Sequence, residues 1–390
     1  MRCERKRLSI HGALGALVAL VLAGCDSSGG QSQPPSADRG AASADNPAGA
    51  AHGSARRIIL LTNGADPFWD AMRAGMQDAE KTFDLAGAGL RTVMDVNNGT
   101  PKGQVDRLRQ YANQSDIAAV AVSVTDSKNL AIARAMEECQ KSGIKVIAID
   151  SDVDRKTSRA ARFAYLGTDN VLGGQELGKA AAGIRPQGGK YATFVGIKGA
   201  ANAIERIDGF AQGAGSQFVR SENLGDNMDL SVAQKNVKDA LDRHADLNVL
   251  VGIWAYNAHA IVEVVKQRNL RGKTTIVVFD AAPKAIAHMT DHDIDAMVVQ
   301  NPYDMGYRGT RLMKALVEND HATIHEMLPA YDPEKHALAD PDGDLLVTGL
   351  RVVHPDSGSP LTKEMFAPTT EFLSLSEFNQ WLSEHNLTGS

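Results

Sequence analysis

The chain has 390 residues, of which 43% are hydrophobic and 23% are charged, and its formal net charge is −6. This composition excludes a wholly disordered or fibrous chain, and the acidic balance argues against a nucleic-acid-binding surface. The length is sufficient for two or three domains with large buried cores.

The first 24 residues have the layout of an export signal. Residues 1–7 are rich in basic side chains, and residues 8–24 form an apolar run that is short for a permanent membrane span, which is the alternative. The run ends in Leu22, Ala23, Gly24 and Cys25, a sequence that resembles the lipobox of bacterial lipoproteins. We therefore predict a signal peptide over residues 1–24, a diacylglycerol on Cys25 and attachment of the chain to a membrane through this lipid.

A flexible tether is predicted to follow, over residues 25–56. From Asp26 to Arg56 the chain is mostly Gly, Ser, Ala and Pro and contains no Val, Ile, Leu or Met, so it cannot bury enough apolar surface to order itself. Of the three cysteines, only Cys139 falls beyond this tether. No disulfide within the processed chain is therefore expected.

From Ile58 onward, short apolar runs alternate with amphipathic stretches. The runs are continuous, as expected for strands whose two sheet faces are both covered by helices. About ten strands are too many for one open sheet, so the pattern predicts an α/β fold of two doubly wound parallel-sheet lobes. The predicted strands are IILLT, LRTVMDV, IAAVAVSV, IKVIAID, FAYLG, KYATFVGI, VLVGIW, TTIVVFD and DAMVVQ.

The region from His321 to Ser390 is less regular. We predict LLVTGLRVV as one strand and LSEFNQWLSEHN as a final helix capped by Ser376. The pattern does not assign the path of this region between the lobes.

Polar and aromatic residues collect directly after the predicted strands. Ligands of open parallel sheets bind outside the carboxyl ends of the strands, so these residues predict a binding site. Aromatic faces stack on the C–H groups of a sugar, and amides and carboxylates bind its hydroxyls. The candidates at strand ends are Asn63, Asp66, Phe68, Trp69, Asp150, Ser151, Asn170, Trp254, Asn257, Asp280 and Gln300.

The order of these motifs resembles the periplasmic sugar-binding proteins of the ribose-binding type, which have the type I periplasmic binding protein fold. The resemblance runs from about Arg57 to about Glu318 and depends on PFWDAMRAG, VSVTDS, IAIDSD, GTDNVLGG, ERIDGF, VVFDAAP and VVQNPYDMGYRG. It implies a three-strand hinge that crosses near Thr168, near Gln300 and within residues 325–345. It also implies an N-terminal lobe of residues 57–168 plus 301–335 and a C-terminal lobe and tail of residues 169–300 plus 345–390.

The resemblance also assigns roles to individual residues. The first polar contact of the family falls on Asp66 and its stacking aromatics fall on Phe68 and Trp69. Its strand-end aspartates fall on Asp150 and Asp280, and its hinge residues fall on Asn170 and Gln300.

This sequence departs from the family pattern at three other positions. Ser151 and Ile204 stand where the ribose binders have arginines, so Arg206 is the nearest cation, and Trp254 stands where Asn is usual. The resemblance therefore argues against ribose itself and leaves a larger or less polar saccharide, since two planar five-donor groups are lost.

The function implied by the resemblance is that of a receptor of an ABC-type sugar importer, which closes its lobes around a mono- or small saccharide. Its expected partner is a membrane permease, its expected location is the periplasmic or extracytoplasmic face of the envelope, and it is expected to be a monomer without cofactor, metal or enzymatic activity. The alternatives are a sensor that presents its ligand to a chemoreceptor or sensor kinase, and a sugar-acting enzyme with Asp150 and Asp280 as acid and base.

Two weaker signals point to other chemistry. The run GGQELGKA nearly matches a phosphate-binding loop, but it ends in Ala180 and lies within a predicted helix. His288 and His292 are four residues apart near several aspartates, an arrangement more typical of a solvated helix end than of a metal site.

Overall fold

The structure is a computed structural model that describes residues 55–339 and 343–390. The predicted signal peptide, the lipidation site Cys25 and the tether up to residue 54 lie outside the described residues. Within the part of the chain that is described, no helix is long and apolar enough to cross a membrane.

Strands and helices alternate over the first stretch of the described chain. The strands are continuous apolar runs, and the third is buried at every position because helices cover both sheet faces. Two of the helices begin at side-chain caps, Thr100 and Asn129, whose oxygens accept backbone N–H groups. The elements are β1 (Arg56–Leu61), α1 (Phe68–Thr82), β2 (Leu90–Asp95), α2 (Pro101–Ala112), β3 (Ile117–Val122), α3 (Leu130–Lys141), β4 (Lys145–Ile149) and β5 (Tyr165–Thr168).

The same alternation continues over the middle of the chain. Asp169 caps the first helix of this stretch and Asp229 caps the third. The elements are α4 (Asn170–Ile184), β6 (Gly189–Val195), α5 (Ala201–Ala214), β7 (Phe218–Gly225), α6 (Leu230–Arg243), β8 (Leu247–Gly252), α7 (Asn257–Gln267), β9 (Thr275–Phe279), α8 (Pro283–Thr290) and β10 (Ala296–Val299).

The last stretch returns to both sheets. Its final helix begins at a capping box made by Ser374 and Glu377, so the cap is Ser374 and not the predicted Ser376. The elements are α9 (Pro302–Glu318), α10 (His321–Met327), β11 (Tyr331–Asp332), β12 (Ala337–Leu338), β13 (Leu345–Thr348), β14 (Arg351–His354), β15 (Glu371–Ser374) and α11 (Leu375–Glu384).

The described strands form two large sheets. The first has the order β13-β5-β4-β3-β1-β2, and all of its neighbours pair in parallel. The second has the order β15-β14-β10-β9-β8-β6-β7 and is parallel except between β10 and β14. We call each sheet with its helices the first lobe and the second lobe. The predicted α/β fold of two doubly wound lobes is confirmed.

The segment predicted as the single strand LLVTGLRVV is two strands in different lobes. Strand β13 pairs in parallel with β5, whereas β14 pairs antiparallel with β10. The third crossing between lobes therefore falls at Gly349 and Leu350 rather than within residues 325–345, and residues 345–348 belong to the first lobe instead of the second. The single-strand prediction was wrong because two apolar strands joined by only two residues have the same pattern as one longer apolar strand.

Hydrogen bonds join the three crossing segments. The Thr168 hydroxyl donates to Gln300 Oε1 at 2.7 Å, and the Thr348 hydroxyl donates to the carbonyl of Gly167 at 3.2 Å. The crossing after β5 is thereby linked to the other two, so the carboxyl ends of the strands in both lobes face one region.

Candidate ligand-binding cleft

A small cavity lies between the carboxyl ends of the strands of the two lobes, with about 280 Å³ of empty space that is partly open to solvent. Its small size suits one small ligand. The lining residues are Asn63, Asp66, Phe68, Trp69, Asp150, Asn202, Arg206, Met228, Trp254, Ala255, Asp280 and Gln300.

Nine of the twelve candidates from the sequence line this cavity. From the first lobe, β1 is followed by Asn63, Asp66 and the start of α1, and β4 is followed by Asp150. From the second lobe, the cavity receives residues that follow β8, β9 and β10. The carboxyl-end rule thus brings together residues that are far apart in sequence.

The other three candidates, Ser151, Asn170 and Asn257, are buried outside the lining. Asn170 Oδ1 accepts from Arg206 Nε at 3.0 Å. Asn257 Oδ1 accepts the backbone N–H of Trp254 at 3.1 Å. The two asparagines therefore position lining residues, and the expectation that they contact the ligand directly is not supported by this geometry.

Asn202, Met228 and Ala255 line the cavity and were not predicted. Asn202 lies in the first turn of α5, and its Nδ2 donates to both carboxylate oxygens of Asp150, each at 3.2 Å, across the two lobes. Met228 follows β7, whose polar sequence does not predict a strand. The carboxyl-end rule would have found Met228 if β7 had been predicted.

Asp150 and Asp280 occupy equivalent places in the two lobes. Each directly follows a strand and has a left-handed backbone, with φ of 62° and 68°. This conformation costs about 1–2 kcal/mol for most residues and less for Asp or Asn, and such strain concentrates at functional sites. Ser123 donates to Asp150 Oδ2 and Gln300 Nε2 donates to Asp280 Oδ1, both at 2.8 Å, so both carboxylates are fixed in direction.

The Arg206 guanidinium is buried beside these carboxylates. Its Nη1 donates to the carbonyl of Ile253 at 3.2 Å and lies 3.7 Å from Asp280 Oδ2. The guanidinium also stacks on the Phe279 ring, 3.8 Å from the ring centroid. The planar group is thereby held rigidly, as bidentate recognition of neighbouring polar atoms requires.

Three carboxyl groups lie in the cleft near one cation, and their burial changes their pKa values. Burial raises the pKa of Asp66 and of Asp280 to about 7 and also raises the pKa of Asp150, while Arg206 opposes all three shifts. Among the described residues that line the cavity, Arg206 is the single cation. When these carboxyl groups are ionised, they outnumber the cation, and the site then disfavours an anionic ligand.

Aromatic walls and unpaired polar atoms complete the site. Phe68 and Trp69 pack edge to face with ring centroids 5.0 Å apart, and Trp254 contributes a third apolar face. Four buried polar atoms of the lining have no hydrogen-bond partner within the described residues: Trp69 Nε1, Trp254 Nε1, Asn202 Oδ1 and Arg206 Nη2. Since each unpaired buried group costs about 1–3 kcal/mol, a ligand rich in hydroxyls would remove this cost.

Comparison with known proteins agrees with this architecture. Residues 58–321 match the family described as periplasmic binding protein domain. The chain is 24% identical to the ribose import binding protein of Escherichia coli strain K12, over 67% of this chain and 84% of that protein. It is also 24% identical to the D-allose-binding periplasmic protein of the same strain, over 67% of this chain and 85% of that protein.

Solved structures show the same fold. An ABC transporter solute-binding protein from Agrobacterium vitis with bound D-fucose has a TM-score of 0.66 at 21% identity, covering 79% of this chain and 96% of that chain. A solute-binding protein from Burkholderia graminis C4D1M in complex with D-arabinose has a TM-score of 0.63 at 22% identity, covering 81% and 98%. Because the family match spans more than half of the sequence, the chain belongs to the periplasmic binding protein domain family, with the type I fold.

Proposed function

We propose that this protein is the solute-binding receptor of an ABC-type sugar importer and that it closes its two lobes around one neutral sugar. The observation that carries the proposal is the cleft itself, where aromatic walls, fixed carboxylates and unpaired buried donors face one small cavity. Aromatic rings match the C–H faces of a sugar, and the polar set matches its hydroxyls. The sugar ligands named for the relatives and solved neighbours support the same class of ligand.

The size and charge of the cavity narrow the ligand further. The small cavity between the lobes favours one sugar ring over an oligosaccharide. When they are ionised, three carboxylates against the single Arg206 guanidinium disfavour sugar phosphates and sugar acids. Ser151 and Ile204 stand where ribose binders have arginines, so we propose a monosaccharide other than ribose.

Contacts between the lobes support closure around the ligand. Besides the Asn202–Asp150 hydrogen bonds, the backbone N–H of Ser127 in the first lobe donates to the carbonyl of Gly199 in the second at 3.1 Å. Met228 of the second lobe lies so close to Gly64 that a Cβ on Gly64 would be 2.2 Å from the Met228 sulfur. Ligand binding would favour this closed arrangement by its differential affinity for the open and closed states.

The alternatives share the same cleft. A sugar-acting enzyme would use Asp150 and Asp280 as acid and base, but both carboxylates already accept hydrogen bonds from Ser123, Asn202 and Gln300 and are suited to hold hydroxyls. Product analysis after prolonged incubation with the bound sugar distinguishes this alternative. A sensor that presents its ligand to a signalling partner would differ only in its docking surface.

The proposed location depends on the family and on the lipobox-like sequence ending at Cys25, which lies outside the described residues. We propose an extracytoplasmic, monomeric receptor tethered to a membrane through a lipid on Cys25, with a membrane permease as its partner. In cells fed labelled palmitate, the unchanged protein should incorporate the label and Cys25→Ser should not, as measured by immunoprecipitation. Label in Cys25→Ser, or none in the unchanged protein, would contradict the lipid anchor.

A melting-temperature screen tests the ligand class. The tag-free chain without residues 1–24 and with Cys25→Ser would be screened against pentoses, hexoses, polyols, disaccharides and sugar phosphates. A ligand at 100 times its Kd adds roughly 2.7 kcal/mol of stability, which raises Tm by a few degrees. We expect a shift with a neutral monosaccharide, no shift with sugar phosphates, and loss of the shift in Trp254→Ala.

The matched control for Trp254→Ala is Trp381→Ala, because Trp381 packs on Arg351 and Phe378 and does not line the cavity. This control should retain the shift. If folded, ligand-free protein shows no shift with any saccharide, the sugar assignment is wrong.

A further inference from the structure

Two histidines and a glutamate meet on the second lobe, outside the lining of the cleft. His259 and Glu263 lie one turn apart on α7, and His288 lies on the neighbouring helix α8. All three side chains are partly buried, and one potential metal-ligating atom of each lies within 4.8 Å of those of the other two. The group therefore presents two imidazole nitrogens and a carboxylate to one point.

The distances suit a small divalent ion. His259 Nδ1 lies 2.9 Å from His288 Nε2 and 4.0 Å from Glu263 Oε1. In a tetrahedral zinc site with bonds of about 2.0–2.1 Å, neighbouring ligand atoms are about 3.3–3.4 Å apart. The distance between the two histidine nitrogens is shorter than this value and the distance from His259 to Glu263 is longer, each by less than 1 Å.

The groups around the cluster also fit a metal site. His288 Nδ1, the nitrogen that faces away from the cluster, lies 3.7 Å from Asp293 Oδ2, and Asp293 is held by Lys266 at 2.7 Å. A carboxylate behind a ligating imidazole orients the ring and raises its basicity.

One cation opposes binding. Lys284 Nζ lies 3.2 Å from His259 Nε2, which is the nitrogen that faces away from the cluster. The Lys284 side chain is exposed, so it can swing into solvent when an ion binds. Its charge still reduces the affinity of the cluster for a cation.

We propose that His259, Glu263 and His288 bind a divalent first-row transition-metal ion, with Zn²⁺ as the best match. Imidazole and carboxylate ligands suit zinc, and a water would complete a four-coordinate site. The ion would join α7, which follows the Trp254 loop, to α8, which follows Asp280. The proposal stands apart from sugar binding, since none of the three ligands lines the cleft.

Calorimetric titration of Zn²⁺ into tag-free, chelator-stripped protein tests the site. We expect one ion per chain, with affinity reduced about tenfold or more in His259→Ala and in His288→Ala, and a smaller loss in Glu263→Gln. Lys284→Met should bind Zn²⁺ more tightly than the unchanged protein because it removes a neighbouring charge. Titration with Co²⁺ should produce the intense visible absorption of a four-coordinate site.

The matched control is His292→Asn. His292 is an exposed histidine four residues after His288, and asparagine tolerates its left-handed backbone, with φ of 58°. This variant should bind Zn²⁺ as the unchanged protein does, and melting curves without metal would show that every variant is folded. Equal affinity in all variants, or a loss in His292→Asn as large as in His288→Ala, would overturn the proposed site.

Discussion

Replacing Asp280 with asparagine tests whether a buried carboxyl in the cleft is held at a cost to stability. Asp280 is 3% exposed, and burial raises its pKa from 3.8 to about 7. Asparagine has nearly the same shape and also tolerates the left-handed backbone at this position. The variant therefore removes the titration with little change in packing.

The sign of the effect follows from proton linkage. Because the folded-state pKa lies above the unfolded value, folded protein binds the Asp280 proton more tightly than unfolded protein does. The stability contributed by this proton is fully present below pH 3.8 and is lost as the pH rises through about 7. Between pH 5 and pH 8 the loss of unfolding free energy from Asp280 alone is about 3 kcal/mol.

Urea unfolding of the ligand-free protein at pH 5 and pH 8 measures this loss. Asp280→Asn should lose about 3 kcal/mol less free energy of unfolding than the unchanged protein between these two pH values. Asp242→Asn is a suitable control, because Arg268 lowers the pKa of the exposed Asp242 carboxyl and its titration falls below pH 5. Identical pH dependence in Asp280→Asn and the unchanged protein would refute the reasoning.

Three further predictions follow from the same geometry. Asn202→Ala removes the donor that reaches Asp150 from the opposite lobe, so sugar affinity should fall about tenfold in a calorimetric titration. Unchanged affinity would contradict a role of Asn202 in closing the lobes. Sugar affinity should fall from pH 8 to pH 5, because Asp66 and Asp280 each have a pKa of about 7 and their protonation removes ionised acceptors for hydroxyl groups. Stronger binding at pH 5 would contradict this prediction. Gly209→Ala should destabilise the fold by about 1–3 kcal/mol in urea unfolding, because its Cβ would lie 2.3 Å from the carbonyl oxygen of Val171. Gly272→Ala should leave stability unchanged, because no atom lies within 4 Å of its Cβ. Equal effects of the two substitutions would refute the packing argument.

The sequence predicted the strands that are buried on both faces and the edge strand β2, but it missed β7 and β15, the two edge strands of the second sheet. Strands such as β3 are apolar at every position and are read directly from the sequence. Strand β7 lies at the edge of its sheet and contains the polar residues Arg220 to Asn223, and β15 is a four-residue strand at the opposite edge. An edge strand exposes more of its length to water, so its pattern differs little from that of a loop.

The candidate site was predictable where each residue follows a strand of its own. Asp150 and Asp280 are examples, since a parallel sheet brings its carboxyl ends to one edge. Asn170 and Asn257 also lie beside the cleft, at the first positions of α4 and α7. Their place in the sequence therefore does not distinguish a residue that contacts a ligand from one that supports Arg206 or Trp254. Asn202 was missed for a different reason, since its contact with Asp150 forms between two lobes and leaves no local pattern.

Contacts between residues on neighbouring helices could also not be predicted from sequence spacing. The spacing of four residues pairs His288 with His292, whereas in the structure His288 packs against His259 from another helix. Helix packing in the second lobe thus creates a cluster that no single stretch of sequence contains.

Tryptophan fluorescence tests the central claim most directly. The chain has three tryptophans, of which Trp69 and Trp254 line the cleft and Trp381 does not. Titration with the sugar that raises Tm should give a saturable change in emission that persists in Trp381→Phe and disappears when Trp69 and Trp254 are both replaced by phenylalanine. A change that survives the double replacement, or no change with folded and ligand-free protein, would contradict a sugar bound between the lobes.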